Sequence, residues 1–301
     1  EEAQDQRDAL AKSLYERLFS WLVMRINAAI EPKATVASRL GVLDIYGFEI
    51  FEENGLEQLC INFVNERLQL LFTEQTLKKE QDEYIAEGLE WKMVDFTDTS
   101  GCVELCKRTT PPMSVFTALE EESKFPNGTD KSFLMKIDDA ASTDKFYAQP
   151  AKKDRGSHFG INHYAGQVMY RIDGILENNR DTLGDEAVDL MARSKNSVIE
   201  SLFEQEVKKS SSGGGGDSSS NERERGAKQL LKPTLVAQFK KQVEELICNL
   251  RECNPHYVRC IKPNDQAKAF TYIQDRVKEQ VVNMGLEQNT LVWKSGFCQR
   301  R

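Results

Sequence analysis

The sequence predicts an α/β fold that is mostly helical, and three observations predict it. Leu40-Gly41-Val42-Leu43 is an apolar run ending in Asp44, with Gly47 three residues on, which is the text of a buried parallel strand delivering a carboxylate to a loop. From Asn54 to Gly88, apolar residues keep helical spacing over a stretch long enough for one rod. Near the end, Asn254 to Asn264 is extended text bounded by Pro255 and Pro263, with Tyr257, Val258 and Ile261 as strand formers.

In chain order, Asp8 to Ile30 is amphipathic, with Leu10, Leu14, Leu18, Leu22, Ile26 and Ile30 four apart and Pro32 just beyond, so a helix packing on the sheet is expected. At the mouth of the strand Leu40–Glu49, Gly47 lacks a Cβ. Its N–H can approach a terminal phosphate, and the loop can move when that phosphate leaves. Asn54 can cap the long helix, with Glu57 completing a capping box; Leu56, Leu59, Cys60, Phe63, Val64, Leu68 and Leu71 form its stripe, and Gly88 ends it. Such a rod measures roughly 50 Å and suits the transfer of a displacement away from the loop.

Trp91 to Asp98 is extended text, and Thr109-Thr110-Pro111-Pro112 is a breaker. Ser114–Glu122 and Asp130–Ile137 read as two short helices joined by the turn Phe125-Pro126-Asn127-Gly128-Thr129. Two readings stand for this pair: ordinary hairpin packing, or an apolar tip of Pro112, Met113 and Phe116 rimmed by Lys124, Lys131 and Lys136. His158 to Tyr170 is a strand hairpin about Ala165-Gly166, in which His163 has no acid or nucleophile at informative spacing and is read as structural. Asp185 to Phe203 is a further helix.

Lys208 to Lys228 is the low-complexity tract, with Ser210–Ser212, Gly213–Gly216 and Ser218–Ser220. Gly/Ser text cannot bury enough surface to order itself, so a flexible connector is expected. Lys208, Lys209, Arg223, Arg225 and Lys228 outnumber Asp217, Glu222 and Glu224 there. Gln229 to Leu250 reads as a helix. Cys248, Cys253, His256 and Cys260 admit a zinc-stabilised module, but Cys248 falls inside that helix and thiols as small apolar fillers are preferred. Ile273–Gly285 and Leu286–Gly296 close the sequence as two short helices broken at Gly285.

The 301 residues, 40% hydrophobic and 29% charged, fit a soluble globular chain of up to two domains. A net charge of −8 argues against a general nucleic-acid surface. No apolar run reaches the ~20 residues of a membrane span, and Glu1-Glu2-Ala3-Gln4-Asp5 is no signal peptide, so a cytoplasmic setting is expected. Seven scattered cysteines fit reduced thiols.

Asp44-Ile45-Tyr46-Gly47-Phe48-Glu49-Ile50-Phe51 followed by Leu56-Glu57-Gln58-Leu59-Cys60-Ile61-Asn62 closely resembles switch II and the relay helix of the myosin motor head. The resemblance implies a mostly helical portion of a P-loop NTPase-like motor head, with strands of a central mixed sheet. It runs from just before switch II to the pivot helices, in an unconventional motor whose class these motifs do not fix. It divides the chain into 1–51, a helix and the switch II strand; 52–207, the relay helix and lower actin-binding subdomain; 208–228, a flexible loop; 229–253, a helix of that subdomain; and 254–301, a sheet strand and the pivot helices.

The same resemblance implies an ATPase that couples hydrolysis to movement on actin filaments at the cytoskeleton, using ATP and Mg2+. Asp44 would act on the metal through water, Gly47 would donate its N–H to the γ-phosphate, and Glu49 would pair with an arginine of switch I. Phe48, Asn54 and Gly285 would couple the loop to the rest of the head, with Tyr46 and Phe48 wedged against the relay helix. Pro112, Met113, Phe116, Lys124 and Lys131, with Lys208, Lys209 and Lys228 of the Gly/Ser tract, would face actin. At the pivot the sequence departs from the family's usual text: Asn289 stands where a second glycine is usual, and Trp293 where a cysteine often lies. No Gly-x-x-x-x-Gly-Lys-Ser/Thr occurs in the 301 residues, so this piece alone is expected to be inactive without the N-terminal part of the head. The alternative is a non-catalytic actin-binding relative.

Overall fold

The computed structural model describes residues 2–95, 98–180, 183–203 and 233–296. They fall into two compact units, Glu1–Ile45 with Arg180–Thr234, and Tyr46–Asn179 with Leu235–Arg301. The tract at 208–228, with its lysines, lies outside the described residues.

In the first unit α1 (Glu2–Ile30) brings Leu10 and Leu14 against Leu183, Val188 of α8 (Asp185–Ala192) and Phe203 of α9 (197–203). The helix expected over Asp185–Phe203 is thus two, interrupted at 193–196. Arg17 lays its guanidinium over the Phe203 ring at 4.3 Å and donates to the Leu202 carbonyl at 3.2 Å, a cation–π contact at the edge of this small core. Beyond Arg17 the four-residue stripe continues into solvent, with Leu22 and Ile26 about half exposed and Ile30 71% exposed. Leu40 and Val42 are 96% and 90% exposed. The predicted switch II strand is therefore not formed. A strand exists only through ladder bonds to a neighbour, and no described strand pairs with 40–49.

The second unit is built on α2 (Leu56–Phe72), which continues through a π segment (Thr73–Lys78) into α3 (Lys79–Ala86). The predicted rod is therefore present, roughly 45 Å long. Its register changes in the middle, where the Thr73 hydroxyl donates to the Gln69 carbonyl at 3.0 Å and competes with the ordinary ladder. Gly88, at φ +75°, ends it. The N-terminus differs from the expected capping box. Gly55 is the cap, its N–H satisfied by Gln58 Oε1 at 3.0 Å, while Asn54 bonds elsewhere.

Leu56, Leu59, Phe63, Leu70 and Leu71 bury one side of α2 in a core shared with α4 (Ser100–Lys107), α5 (Val115–Lys124), α6 (Asp130–Ala141) and α10 (Leu235–Glu252). The α5 and α6 helices start at proper caps, Ser114 accepting from Thr117 N–H at 3.2 Å and Thr129 from Ser132 N–H at 3.0 Å. The sheet is three-stranded and antiparallel, in the order β1 (Tyr147–Ala148), β2 (His158–His163), β3 (Gly166–Arg171). Its β2–β3 hairpin pairs His163 with Gly166 and Phe159 with Tyr170. A central mixed sheet is not formed among the described residues.

α7 (Ile175–Arg180) contributes Ile175 and Leu176 to the same core.

The segment 254–264, expected as a strand, is extended but unpaired. It is held by side chains. Tyr257 packs edge-on to Phe72 at 5.0 Å, Arg259 covers the same ring at 4.4 Å, and Gln280 brackets the Lys262 main chain with two 2.9 Å bonds. The last two helices are α11 (Gln274–Asn283) and α12 (Leu286–Ser295), joined at Gly285 with φ +67°. Because a Cβ is disfavoured at that left-handed backbone, Gly285→Ala should lower stability by about 1–2 kcal/mol. A thermal melt with unchanged midpoint would contradict that need for glycine. Among the described residues no helix is long and apolar enough to cross a membrane.

Candidate functional site

Asp44 is exposed, at the end of the first unit's extended segment. The rest of the loop belongs to the second unit and is fixed there by side chains of α2. Asn62, fully buried, accepts from the Glu49 N–H and donates to the Glu49 carbonyl, both at 2.8 Å. Asn65, one turn away from Ile61, donates to the Tyr46 carbonyl at 3.0 Å. Gln58 lies 3.5 Å from the Glu49 carboxylate, which is otherwise half open. Gly47 is exposed, with nothing within 4 Å of where a Cβ would stand.

Asn54 closes the other end of the loop. Its amide accepts from Phe51 N–H at 2.9 Å and donates to the carbonyls of Phe51 at 3.0 Å and Met169 at 3.1 Å, while its own carbonyl accepts from Arg171 N–H at 2.9 Å. It staples the loop to β3 rather than capping the helix. Phe48 meets His163 and Tyr164 edge-on at 5.2 and 5.4 Å, so it packs on the hairpin tip. Tyr46, expected beside it as a wedge, points out and is 76% exposed.

Behind Asn62 lies a polar group that sequence reading missed. Tyr170 hydroxyl accepts from Asn62 Nδ2 at 3.0 Å and lies 2.8 Å from His163 Nε2, and His163 Nδ1 lies 3.1 Å from Glu66 Oε2. Burial pushes the Tyr170 phenol well above its ordinary range, so its proton is retained; burial likewise pushes Tyr164 up to about 12. Glu66, Cys102 and His163 hold donor atoms within 4.8 Å of one another, the one such trio among the described residues. The Cys102 thiol is held far above its usual value by its contact with Cys106 and by burial, so it stays protonated and is a poor metal ligand as it stands. Cys248, Cys253 and Cys260 are exposed and, with His256, form no such cluster among the described residues, which removes the sequence basis for a zinc module.

The helix pair α5–α6 carries the other candidate surface. Pro112, Lys124 and Lys131 are exposed and Met113 is half-buried. Phe116 is not on that surface: it is fully buried, edge-on to Phe63 at 4.9 Å, because it lies on the face of α5 turned to α2. Lys136 is tied to Glu122 at 2.6 Å. The exposed apolar groups of the pair are Phe125, just after α5, and Met135 within α6, 56% and 71% exposed. An aromatic placed at the turn after α5 was the signal for Phe125.

A loop clamped to a long helix that carries a π segment, in a unit that also holds two short helices joined at Gly285, defines a helical domain with a small antiparallel sheet. The myosin head (motor domain) family matches residues 1–301, and the chain belongs to that family. It is 41% identical to the Myosin IA heavy chain of Dictyostelium discoideum over all of its own length and 31% of that protein. It is 36% identical to Unconventional myosin-VIIb of Mus musculus, covering 98% of this chain and 14% of that one. With Unconventional myosin-Ib of Mus musculus the identity is 39%, over 98% of this chain and 26% of the relative. The chain thus spans less than a third of each of these relatives.

Proposed function

We propose that this chain is the part of an ATP-hydrolysing, actin-filament motor that carries the phosphate-sensing loop, the coupling helix and a filament-docking surface. The Asn62 clamp carries the reading: with both Glu49 main-chain groups held at 2.8 Å, a loop that moves takes α2 with it. Asp44 supplies one unhindered carboxylate, which suits a Mg2+ ion that keeps most of its waters and shares substrate phosphates. When bound, ATP would supply the transferable phosphoryl group and Mg2+ would neutralise charge on its phosphates.

In this reading Asp44 would hold the ion through water, Gly47 would donate its N–H toward the γ-phosphate, and Glu49 would close the site around the attacking water. Once the phosphate leaves, the loop at Gly47 relaxes, Asn62 shifts α2, and Phe48 and Asn54 pass the change to the hairpin. The shift ends at the Gly285 pivot. Pro112, Met113, Lys124 and Lys131, with Phe125 and Met135, form the docking face, and Lys208, Lys209 and Lys228 add charge from beyond the described residues.

Steady-state turnover of the full-length protein with and without actin filaments tests this. Acceleration by filaments is expected; filament binding without any turnover would favour the non-catalytic relative, and neither would overturn both. Deleting Ser210–Ser220 should change weak filament affinity in a salt-dependent way and leave basal turnover within about twofold, because surface charge contributes over roughly a Debye length. Cosedimentation at two ionic strengths reads the first effect, and a large loss of basal activity would contradict the second.

A further inference from the structure

We propose that Tyr170, His163 and Glu66 are positioning residues for Glu49, acting through Asn62 although none of them lies on the loop. The inference rests on the reading of the loop given above and extends it into the hairpin. Asn62 has one acceptor and two donor hydrogens to place in a site with no exposure. Its oxygen takes the Glu49 N–H, one hydrogen goes to the Glu49 carbonyl, and the other goes to Tyr170 at 3.0 Å. That third bond fixes the plane of the amide, and so the angle at which the loop is held.

One placement of the remaining hydrogens satisfies the whole line. Because the Tyr170 oxygen accepts from Asn62, its own hydrogen is free to go to His163 Nε2 at 2.8 Å. His163 Nε2 is then the acceptor, which puts the ring proton on Nδ1, aimed at Glu66 Oε2 at 3.1 Å. Glu66 Oε2 also accepts from the Tyr164 N–H at 3.1 Å, which anchors the far end of the line to the hairpin tip. Asn62 and Glu66 stand four residues apart on α2, so both ends of the line lie on one face of the helix and the hairpin closes the span. Phe48 touches the same His163 ring, giving the loop a second hold on it. All four side chains are buried, and Cys102 Sγ, 3.7 Å from His163 Nδ1, is a weaker partner for that ring nitrogen beside Glu66.

The test is Tyr170→Phe in the full-length protein, which removes one oxygen, with Tyr147→Phe as the control. Tyr147 is another buried phenol, whose hydroxyl goes to Asp138 of α6. Tyr170→Phe should lower basal kcat about fivefold to tenfold with KM for ATP within twofold, and speed amide exchange over residues 46–51, because small misplacements of a catalytic group are costly. His163→Gln, which can still accept at one end and donate at the other, should retain more activity than His163→Ala. The control should change neither kcat nor exchange in the loop. Unchanged kcat and unchanged loop exchange in Tyr170→Phe, beside a Glu49→Ala variant that has lost hydrolysis, would overturn this inference alone. Full hydrolysis in Glu49→Ala would overturn the reading of the loop and the inference with it.

Discussion

Replacing Glu49 by alanine in the full-length protein is expected to lower ATP hydrolysis by roughly 10²-fold or more while nucleotide affinity stays within a few-fold. Phosphoryl transfer depends on positioning and electrostatics, and removing one well-placed polar group from such a site commonly costs that much in kcat. The side chain is free to take this role, because the bonds that hold the residue are made by its main chain to Asn62 and its carboxylate meets only Gln58, at 3.5 Å. Alanine keeps the main-chain clamp, so the loop should remain docked and binding should survive. Single-turnover kinetics separate the two effects. Turnover at the parent rate would remove Glu49 from the chemistry.

Phe116→Ala should be the most destabilising of the substitutions considered, costing about 3–5 kcal/mol, the range for emptying a buried aromatic site. Phe116 has no exposure and meets Phe63 at 4.9 Å, with Leu119 and Phe133 in the same core. On a domain of this size the melting midpoint should fall by about 10 °C. By contrast, reversing charge at Lys124 and Lys131 should weaken filament affinity at low salt with the midpoint nearly unchanged, since both are exposed. The opposite pairing, a stable Phe116→Ala protein that no longer binds filaments, would return Phe116 to the docking face.

Local periodicity made much of the second unit legible. The stripe from Leu56 to Leu71, the turn after Phe125 and the alternation on either side of Ala165-Gly166 are set by neighbours within a few residues, and the helices and hairpin stand where that spacing puts them. The segment Leu40–Glu49 was not legible in the same way, because what makes an apolar run a strand is a partner elsewhere, and none is present among the described residues. Asn54 read as a helix cap from its spacing to Glu57, yet bonds to Phe51 and to Met169, 115 positions away, a competition that sequence spacing does not reveal.

His163 is the instructive miss. No acid stands near it in sequence, and its partner Glu66 is 97 positions earlier. The available signal was on the helix: Asn62 and Glu66 are polar residues four apart beside Leu59, Phe63 and Leu70, on a face that must be buried. Polar groups on such a face have to find partners, and the hairpin supplies them.

The central claim is that the loop ending at Glu49 reports the γ-phosphate to the long helix through Asn62. Amide exchange of the full-length protein, followed over residues 44–51 and 56–86 with ADP and then with a non-hydrolysable ATP analogue, measures it directly. The account predicts that exchange changes together in the loop and in the helix, and that Asn62→Ala leaves the loop response while abolishing the response of the helix. Saturating analogue that alters the loop but leaves the helix the same in the parent protein would contradict it.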